Sequence, residues 1–314
     1  MPSTFHGFRL RDGRWEDLVR RESPLRDRTV VVTGAARGVG AALARELGRR
    51  GARLALIGHE GPVLRKLAAG LGDAGAWEVD VTDPNGLERV ARDVRASLGA
   101  PSAVIANAGI AEGGPFSSSD PDSWRRVVDV NLVGSANTAR TFLPDLQQTK
   151  GYFLQIASLA SIGASPMMSA YCASKAGVEA FAHSLRAEVA HEGVAVGIAY
   201  LNWTDTDMIR DADDHAVLRE LRAHMPAPAR HVYEAAVVAG RLVRAVEHRR
   251  TAVYVPGWLR AAQIGRATLP PVVMRLSRRE LPRLADRHPF LATGLLGAGG
   301  EADRGRTGDP EGDA

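Results

Sequence analysis

The sequence predicts an α/β protein built on a doubly wound parallel sheet, and three observations predict it. Seven short apolar runs recur along the chain, the stretches between them have helical period, and the first run closes in a glycine loop. The runs are TVVVTG (29–34), ARLALIG (52–58), GAWEVDV (75–81), SAVIANAG (102–109), GYFLQIAS (151–158), VAVGIAYL (194–201) and TAVYVPG (251–257). Each is continuous rather than alternating, as in strands buried on both faces. Between them, stretches such as GAALARELGRRG, PNGLERVARDVRASLG and SAYCASKAGVEAFAHSLRAEVAHEG repeat apolar residues at the spacing of one helix face. Strand and helix alternate over residues 29–257, which makes a single domain.

Three segments stand outside this alternation. Residues 1–28 are polar and read as an N-terminal extension. Residues 205–230 lack a strand and read as a helical flap or loop. Residues 258–290 mix aliphatic side chains with seven arginines and two acids. They form a C-terminal extension that serves as a lid, an oligomer contact or a basic patch on anionic lipid. The peripheral membrane reading is not favoured, because Pro270 and Pro271 are expected to break any long helix. Residues 291–314 have little to bury and are expected to be disordered.

Composition excludes several classes. Of 314 residues, 45% are hydrophobic, enough for a sizeable core. Lysine plus arginine (40) barely exceeds aspartate plus glutamate (36), too thin an excess to imply nucleic acid. Cys172 is the only cysteine, so no intramolecular disulfide forms and a reducing cytoplasm is the expected compartment. No signal-type apolar core opens the chain and no run of about 18 apolar residues occurs, so neither secretion nor a membrane span is expected. The histidines form no pair at metal-ligand spacing with a carboxylate motif, no metal is expected, and no Gly-x-Ser-x-Gly elbow appears.

The loop TGAARGVG, with Gly34, Gly38 and Gly40, lies between a strand and a helix. There, glycines let the backbone approach a pyrophosphate seated on the helix N-terminus. Farther on, Tyr171 and Lys175 lie four apart in a helical stretch. Tyrosine at its free pKa of about 10 is a poor base, and bringing it near neutrality asks for roughly 4 kcal/mol from nearby positive charge. Lys175, one turn away on the same face, is expected to provide that charge.

These motifs resemble the short-chain dehydrogenase/reductase family over about residues 29–257. Thr33 to Gly40 match its Thr-Gly-x-x-x-Gly-x-Gly turn. DVT (Asp80–Thr82), NAG (Asn107–Gly109), VNLVG around Asn131, and Ser158 thirteen residues before Tyr171 follow in register. The resemblance implies a Rossmann fold and hydride transfer between a nicotinamide coenzyme and a small-molecule carbonyl or secondary alcohol. It implies Tyr171 as general acid or base and Lys175 as its electrostatic partner and ribose ligand. Ser158 would donate to the substrate oxygen, and Asn131 would anchor a water that links Lys175 to solvent. Gly34, Arg37, Gly38, Val39, Gly40, His59, Asp80, Val81, Asn107, Ala108, Gly109, Thr204 and Thr206 would hold the coenzyme, with Asp80 and Val81 flanking adenine. By analogy with similar enzymes, helices within 122–148 and 169–192 would make a homodimer or homotetramer.

Where an NAD site wants a carboxylate at the end of the second strand, this chain has Gly58. Arg37 and His59 can face a 2′-phosphate, so NADP(H) is favoured. NAD(H) stays open through Glu60, which could reach the ribose. Leu201 and Asn202 replace the family's Pro-Gly, and Asn202 is expected to keep the left-handed turn. Met167, Met168, Trp203 and Met208 would make the substrate pocket apolar, which favours a lipophilic substrate. The rival readings are a dinucleotide-binding sensor or scaffold without turnover, and an epimerase or biosynthetic reductase of the same family.

Overall fold

A computed structural model describes residues 22–307; most of the N-terminal extension and residues 308–314 lie outside the described residues. The strands are β1 (Thr29–Thr33), β2 (Arg53–Gly58), β3 (Ala74–Glu78), β4 (Ala103–Ala106), β5 (Glu112–Gly113), β6 (Tyr152–Ser158), β7 (Ala195–Leu201), β8 (Ala252–Val255) and β9 (Gly294–Leu295). All but β5 and β9 form one seven-stranded sheet in the order β3-β2-β1-β4-β6-β7-β8, every pair parallel. This is the doubly wound, Rossmann-type arrangement expected, and the apolar runs explain it. Val30, Val31 and Val32 are all fully buried, because helices cover both faces.

The helices are α1 (Gly38–Arg49), α2 (Gly61–Ala69), α3 (Pro84–Leu98), α4 (Pro121–Val128), α5 (Gly134–Thr149), α6 (Leu159–Ile162) and α7 (Ser169–Val189). They continue with α8 (Asp207–Asp214), α9 (Ala216–Ala223), α10 (Ala227–Arg230), α11 (Ala235–Glu247), α12 (Leu259–Ile264), α13 (Leu269–Ala285) and α14 (Gly297–Thr307). Their starts are written locally. Asp83 accepts the Gly86 N–H at 2.9 Å ahead of Pro84, and Asp120 accepts the Ser123 N–H at 2.9 Å ahead of Pro121. One core cluster packs α3, α5 and α7 on one face of the sheet through Leu87, Phe142 and Val178. The other packs α1 and α11 on the opposite face through Leu43, Leu47 and Leu242.

Strand order reverses between β1 and β4, which opens a crevice at the carboxyl ends of the strands. The glycine loop, Asn107, Ser158 and Asn202 all follow directly from strand ends on that edge.

Two expectations about the C-terminal region need correction. Pro270 and Pro271 do not break a helix; they open α13, a 17-residue helix, in the first turn, where a proline's missing N–H has no intrahelical partner to lose. Nor are residues 294–307 without structure. β9 pairs antiparallel with β5, with Glu112 opposite Leu295, and α14 follows. The tail has something to bury after all, since Leu295 and Leu296 are 3% and 1% exposed. The flap reading of 205–230 agrees with what is seen, namely α8, α9 and α10.

Candidate active site

The glycine loop carries Gly34 at φ +62° and Gly38 at φ +51°, a region that favours glycine. A Cβ on Gly34 would lie 2.7 Å from the Ala108 Cα, and one on Gly40 would collide with the Gly34 carbonyl. Asn107 ties the two sides together. Its Nδ2 donates to the Thr33 and Gly34 carbonyls at 3.0 and 3.2 Å, while its own N–H donates to the Thr33 hydroxyl at 3.1 Å. The first turn of α1 holds no acidic residue. A backbone cradle closed to side chains and facing a helix N-terminus fits the pyrophosphate of a dinucleotide.

Beyond the cradle, Asp80 and Val81 line the same cavity. Asp80 accepts the Thr82 N–H and hydroxyl at 2.8 Å each and Arg126 at 2.5 Å. Burial pushes the Asp80 carboxyl up, but these donors outweigh it and hold it below its ordinary value. Arg126 also reaches Asp303 on α14, at 2.7 and 2.6 Å. Sequence reasoning missed both Arg126 and Asp303. They stand 177 positions apart, and no local motif marks a pair at that distance.

Arg37 is engaged rather than open. Its Nε donates to Glu60 Oε1 at 2.7 Å, and a terminal nitrogen lies 3.7 Å from Asp207. His59 Nε2 is buried with no hydrogen-bond partner among the described residues. Both side chains line the cavity, as do Val39, Ala108, Gly109, Thr204 and Thr206. Asn202 does not adopt the left-handed turn expected of it. Instead its Nδ2 donates to the Ala229 and His231 carbonyls at 3.1 Å each, pinning the far end of the flap to the sheet edge.

Ser158, Tyr171 and Lys175 line the same cavity, and Asn131 does not. Tyr171 and Lys175 lie one turn apart on α7, with Nζ 5.6 Å from the tyrosine ring centroid. The Ser158 hydroxyl lies on the same cavity wall as the Tyr171 phenol and draws its pKa down. The same hydroxyl caps α6 by accepting the Ala160 N–H at 3.2 Å. Asn131 lies in a π-helical turn, Asp129–Val133, between α4 and α5, and is fully buried. Its side chain accepts the Ile110 N–H at 2.8 Å and donates to the Ile110 carbonyl at 3.0 Å and to Ser174 Oγ at 2.9 Å. It thereby locks the turn after β4 against α7.

Electrostatics in this cluster differ from the sequence expectation. Burial pushes Tyr171 up to about 12, against the pull of the Ser158 hydroxyl, and Lys175 does not bring it down. The same burial depresses Lys175 to about 8, with its ammonium donating to the Ile156 carbonyl at 3.3 Å. Desolvation is the dominant cause for both groups.

The cavity has a volume of about 880 Å³, and apolar side chains dominate its substrate side. Met168, Trp203 and Met208 line it as expected; Met167 does not, and its carbonyl instead accepts the Gly114 N–H at 2.9 Å. Leu269, Val272, Val273 and Leu276 of the C-terminal extension also line it. Arg266 secures that extension by donating to Glu179 at 2.9 Å and to the Ser161 carbonyl at 2.9 Å.

Comparison with known proteins agrees with this geometry. The short chain dehydrogenase family model matches residues 28–216, more than half of the chain. The cis-4-hydroxycyclohexanecarboxylate dehydrogenase of Sinomonas cyclohexanicum is 32% identical, covering 70% of this chain and 86% of that protein. A short chain dehydrogenase of Pseudocercospora fijiensis is 30% identical, covering 67% of this chain and 72% of that protein. The probable oxidoreductase EphD of Mycobacterium tuberculosis is 32% identical over 60% of this chain, which spans only 33% of EphD's length. With the sheet order, the glycine cradle and the Ser158–Tyr171–Lys175 cluster in agreement with that match, this chain belongs to the short-chain dehydrogenase/reductase family.

Proposed function

We propose that the protein is an NADP(H)-dependent oxidoreductase that interconverts a lipophilic ketone and its secondary alcohol. The observation that carries this reading is that Ser158, Tyr171 and Lys175 line the same cavity as the glycine loop. When bound, a nicotinamide coenzyme supplies or accepts the hydride at the substrate carbon.

The chain's own residues handle the oxygen. In reduction, the Tyr171 hydroxyl gives its proton to the oxygen that becomes the alcohol, and in oxidation the phenolate takes it back. Ser158 donates a hydrogen bond to that oxygen as negative charge develops on it. A phenol held near 12 stays protonated at neutral pH but is a weaker acid than free tyrosine, so transfer in either direction calls on the positive charge of Lys175 and of the bound coenzyme. Asn131 positions the Ile110 backbone and Ser174 on the α7 face, and through them the tyrosine.

Coenzyme choice rests on Arg37, His59 and the absence of a carboxylate at Gly58. A 2′-phosphate would share the Arg37 guanidinium with Glu60 and meet the unpaired His59 nitrogen. The Arg37–Glu60 pair also favours a second reading, in which Glu60 turns to the ribose of NAD(H). Titrating NADPH and NADH separates them. Glu60→Gln frees Arg37 and is expected to raise NADPH affinity about three- to tenfold over NADH, and Arg37→Ala to lower it by more. NADPH affinity unmoved by either change would overturn the NADP(H) assignment.

The apolar lining and the ring-borne alcohol named for the Sinomonas relative support a panel of aliphatic and alicyclic ketones, followed at the nicotinamide absorbance. Tyr171→Phe is expected to lower turnover by at least about a hundredfold while leaving coenzyme binding in place. Coenzyme binding without turnover of any member of the panel would instead favour a dinucleotide sensor.

A further inference from the structure

We propose that Arg222 and Trp203 form a second polar anchor in the cavity, which receives an uncharged carbonyl oxygen of the substrate, such as an ester or amide, remote from the reacting carbon. The proposal rests on the oxidoreductase reading above and narrows its substrate class from a plain lipophilic ketone to an acyl-bearing one.

Trp203 follows β7, Arg222 lies on α9, and both line the cavity. The guanidinium carbon sits 5.8 Å from the Trp203 ring, within cation–π range. One terminal nitrogen of Arg222, Nη2, pairs with Asp213 at 2.5 Å. The other, Nη1, and the Trp203 indole N–H are buried, and neither has a hydrogen-bond partner among the described residues. Unpaired buried donors are costly and uncommon. Two in adjoining side chains on a cavity wall point to an acceptor that arrives with a ligand.

Trp203 and Tyr171 both pack against the cluster around Met168 and Ala212, which puts the anchor and the proton-transfer group in the same part of the cavity. A ligand held by both would span from the Tyr171 hydroxyl to the flap. Leu218, Leu221 and Met225 of the flap line the cavity beside Arg222 and would receive the apolar part.

Charge decides between acceptor classes. Asp213 already offsets the Arg222 charge, and Glu280, which lines the same cavity, is itself paired with Arg279 at 3.3 Å and Arg283 at 3.1 Å. A carboxylate at this anchor would meet an arginine whose charge Asp213 already matches. An ester or amide carbonyl accepts from both N–H groups and adds no charge.

The test compares wild type, Arg222→Met and Trp203→Phe on three matched series: plain methyl ketones, the same ketones bearing an ester at graded distances, and the corresponding free acids. Wild type is expected to prefer the best keto ester to its plain counterpart. Arg222→Met should reduce that ratio of kcat/KM values about ten- to a hundredfold, chiefly through KM, and Trp203→Phe about three- to tenfold. Calorimetric binding of an ester without the ketone should weaken in the same order. Equal losses on both ketone series, an unchanged ratio, or a wild type that prefers the free acid overturns the anchor. Arg222-dependent binding of the inert ester with no ketone turned over would leave the anchor standing and remove the oxidoreductase reading.

Discussion

Tyr171 and Lys175 are pushed in opposite directions by one cause, the loss of water around them. For the lysine, the consequence for stability runs from its unfolded value of 10.5 to its folded value of about 8. Between those limits the unfolded chain keeps a proton that the folded chain has released, so this group makes stability rise with pH across that window. Below about 8 the folded protein carries a buried ammonium, and its destabilising effect is at its maximum. For the tyrosine, the unfolded phenol ionises near 10 and the folded one near 12, so above 10 stability falls again. Lys175→Met is therefore expected to be more stable than wild type at pH 7 by up to about 3 kcal/mol, and to lack the rise above pH 8. Urea unfolding of the coenzyme-free proteins at graded pH checks this. Parallel pH profiles for the two proteins would show that the ammonium is not desolvated. The pairing of Tyr171 with Lys175 was legible in the sequence because it is local, one helical turn. Their titration was not, because burial is contributed by residues far along the chain.

At the scale of elements, the C-terminal region matters most to the site. The seven arginines of residues 258–290 left a lid, an oligomer contact and a lipid patch all open. In the structure α13 contributes Leu269, Val272, Val273 and Leu276 to the cavity wall, which supports the lid. Beyond it, β9 and α14 return across the crevice. Leu296 donates its N–H to the Ala111 carbonyl at 2.8 Å, and the Gly297 N–H donates to Asp211 at 2.6 Å. This strap links the turn beyond β4 to the flap, and it is short in apolar residues, so each one counts. Leu296→Ala should cost about 2–4 kcal/mol of unfolding free energy by denaturant titration. A loss below about 1 kcal/mol would mean that the strap is not docked in solution. Composition made this segment read as a disordered tail, since glycine and charge dominate it. Two leucines and Asp303 suffice to hold it because their receiving surfaces are already formed by β5, α8 and Arg126.

For the molecule as a whole, the glycine loop after β1, Asn107 after β4, Tyr171 of α7, the flap after β7, α13 and the C-terminal strap all line one cavity. A ligand that touches all of them binds the folded chain only. NADPH at a hundred times its Kd is expected to add about 2.7 kcal/mol to unfolding and to raise Tm accordingly. Gly40→Ala, whose Cβ would collide with the Gly34 carbonyl, should lose that increment, as followed by near-UV circular dichroism with and without coenzyme. Among the described residues no helix is long and apolar enough to cross a membrane.

The sequence by itself determined the sheet, the order of its helices and the glycine loop, which rest on short-range periodicity and turn chemistry. The set of Asn131, Ser158, Tyr171 and Lys175 was legible only through the family resemblance, and of these the Tyr171–Lys175 spacing alone is local to one helix. Only the tertiary structure decided that Arg37 is held by Glu60, that Arg126 joins Asp80 to Asp303, and that Arg222 stacks on Trp203 with a donor to spare. Such pairs depend on where packing brings distant side chains and on how much water it removes, and neither is written in the spacing of residues along the chain.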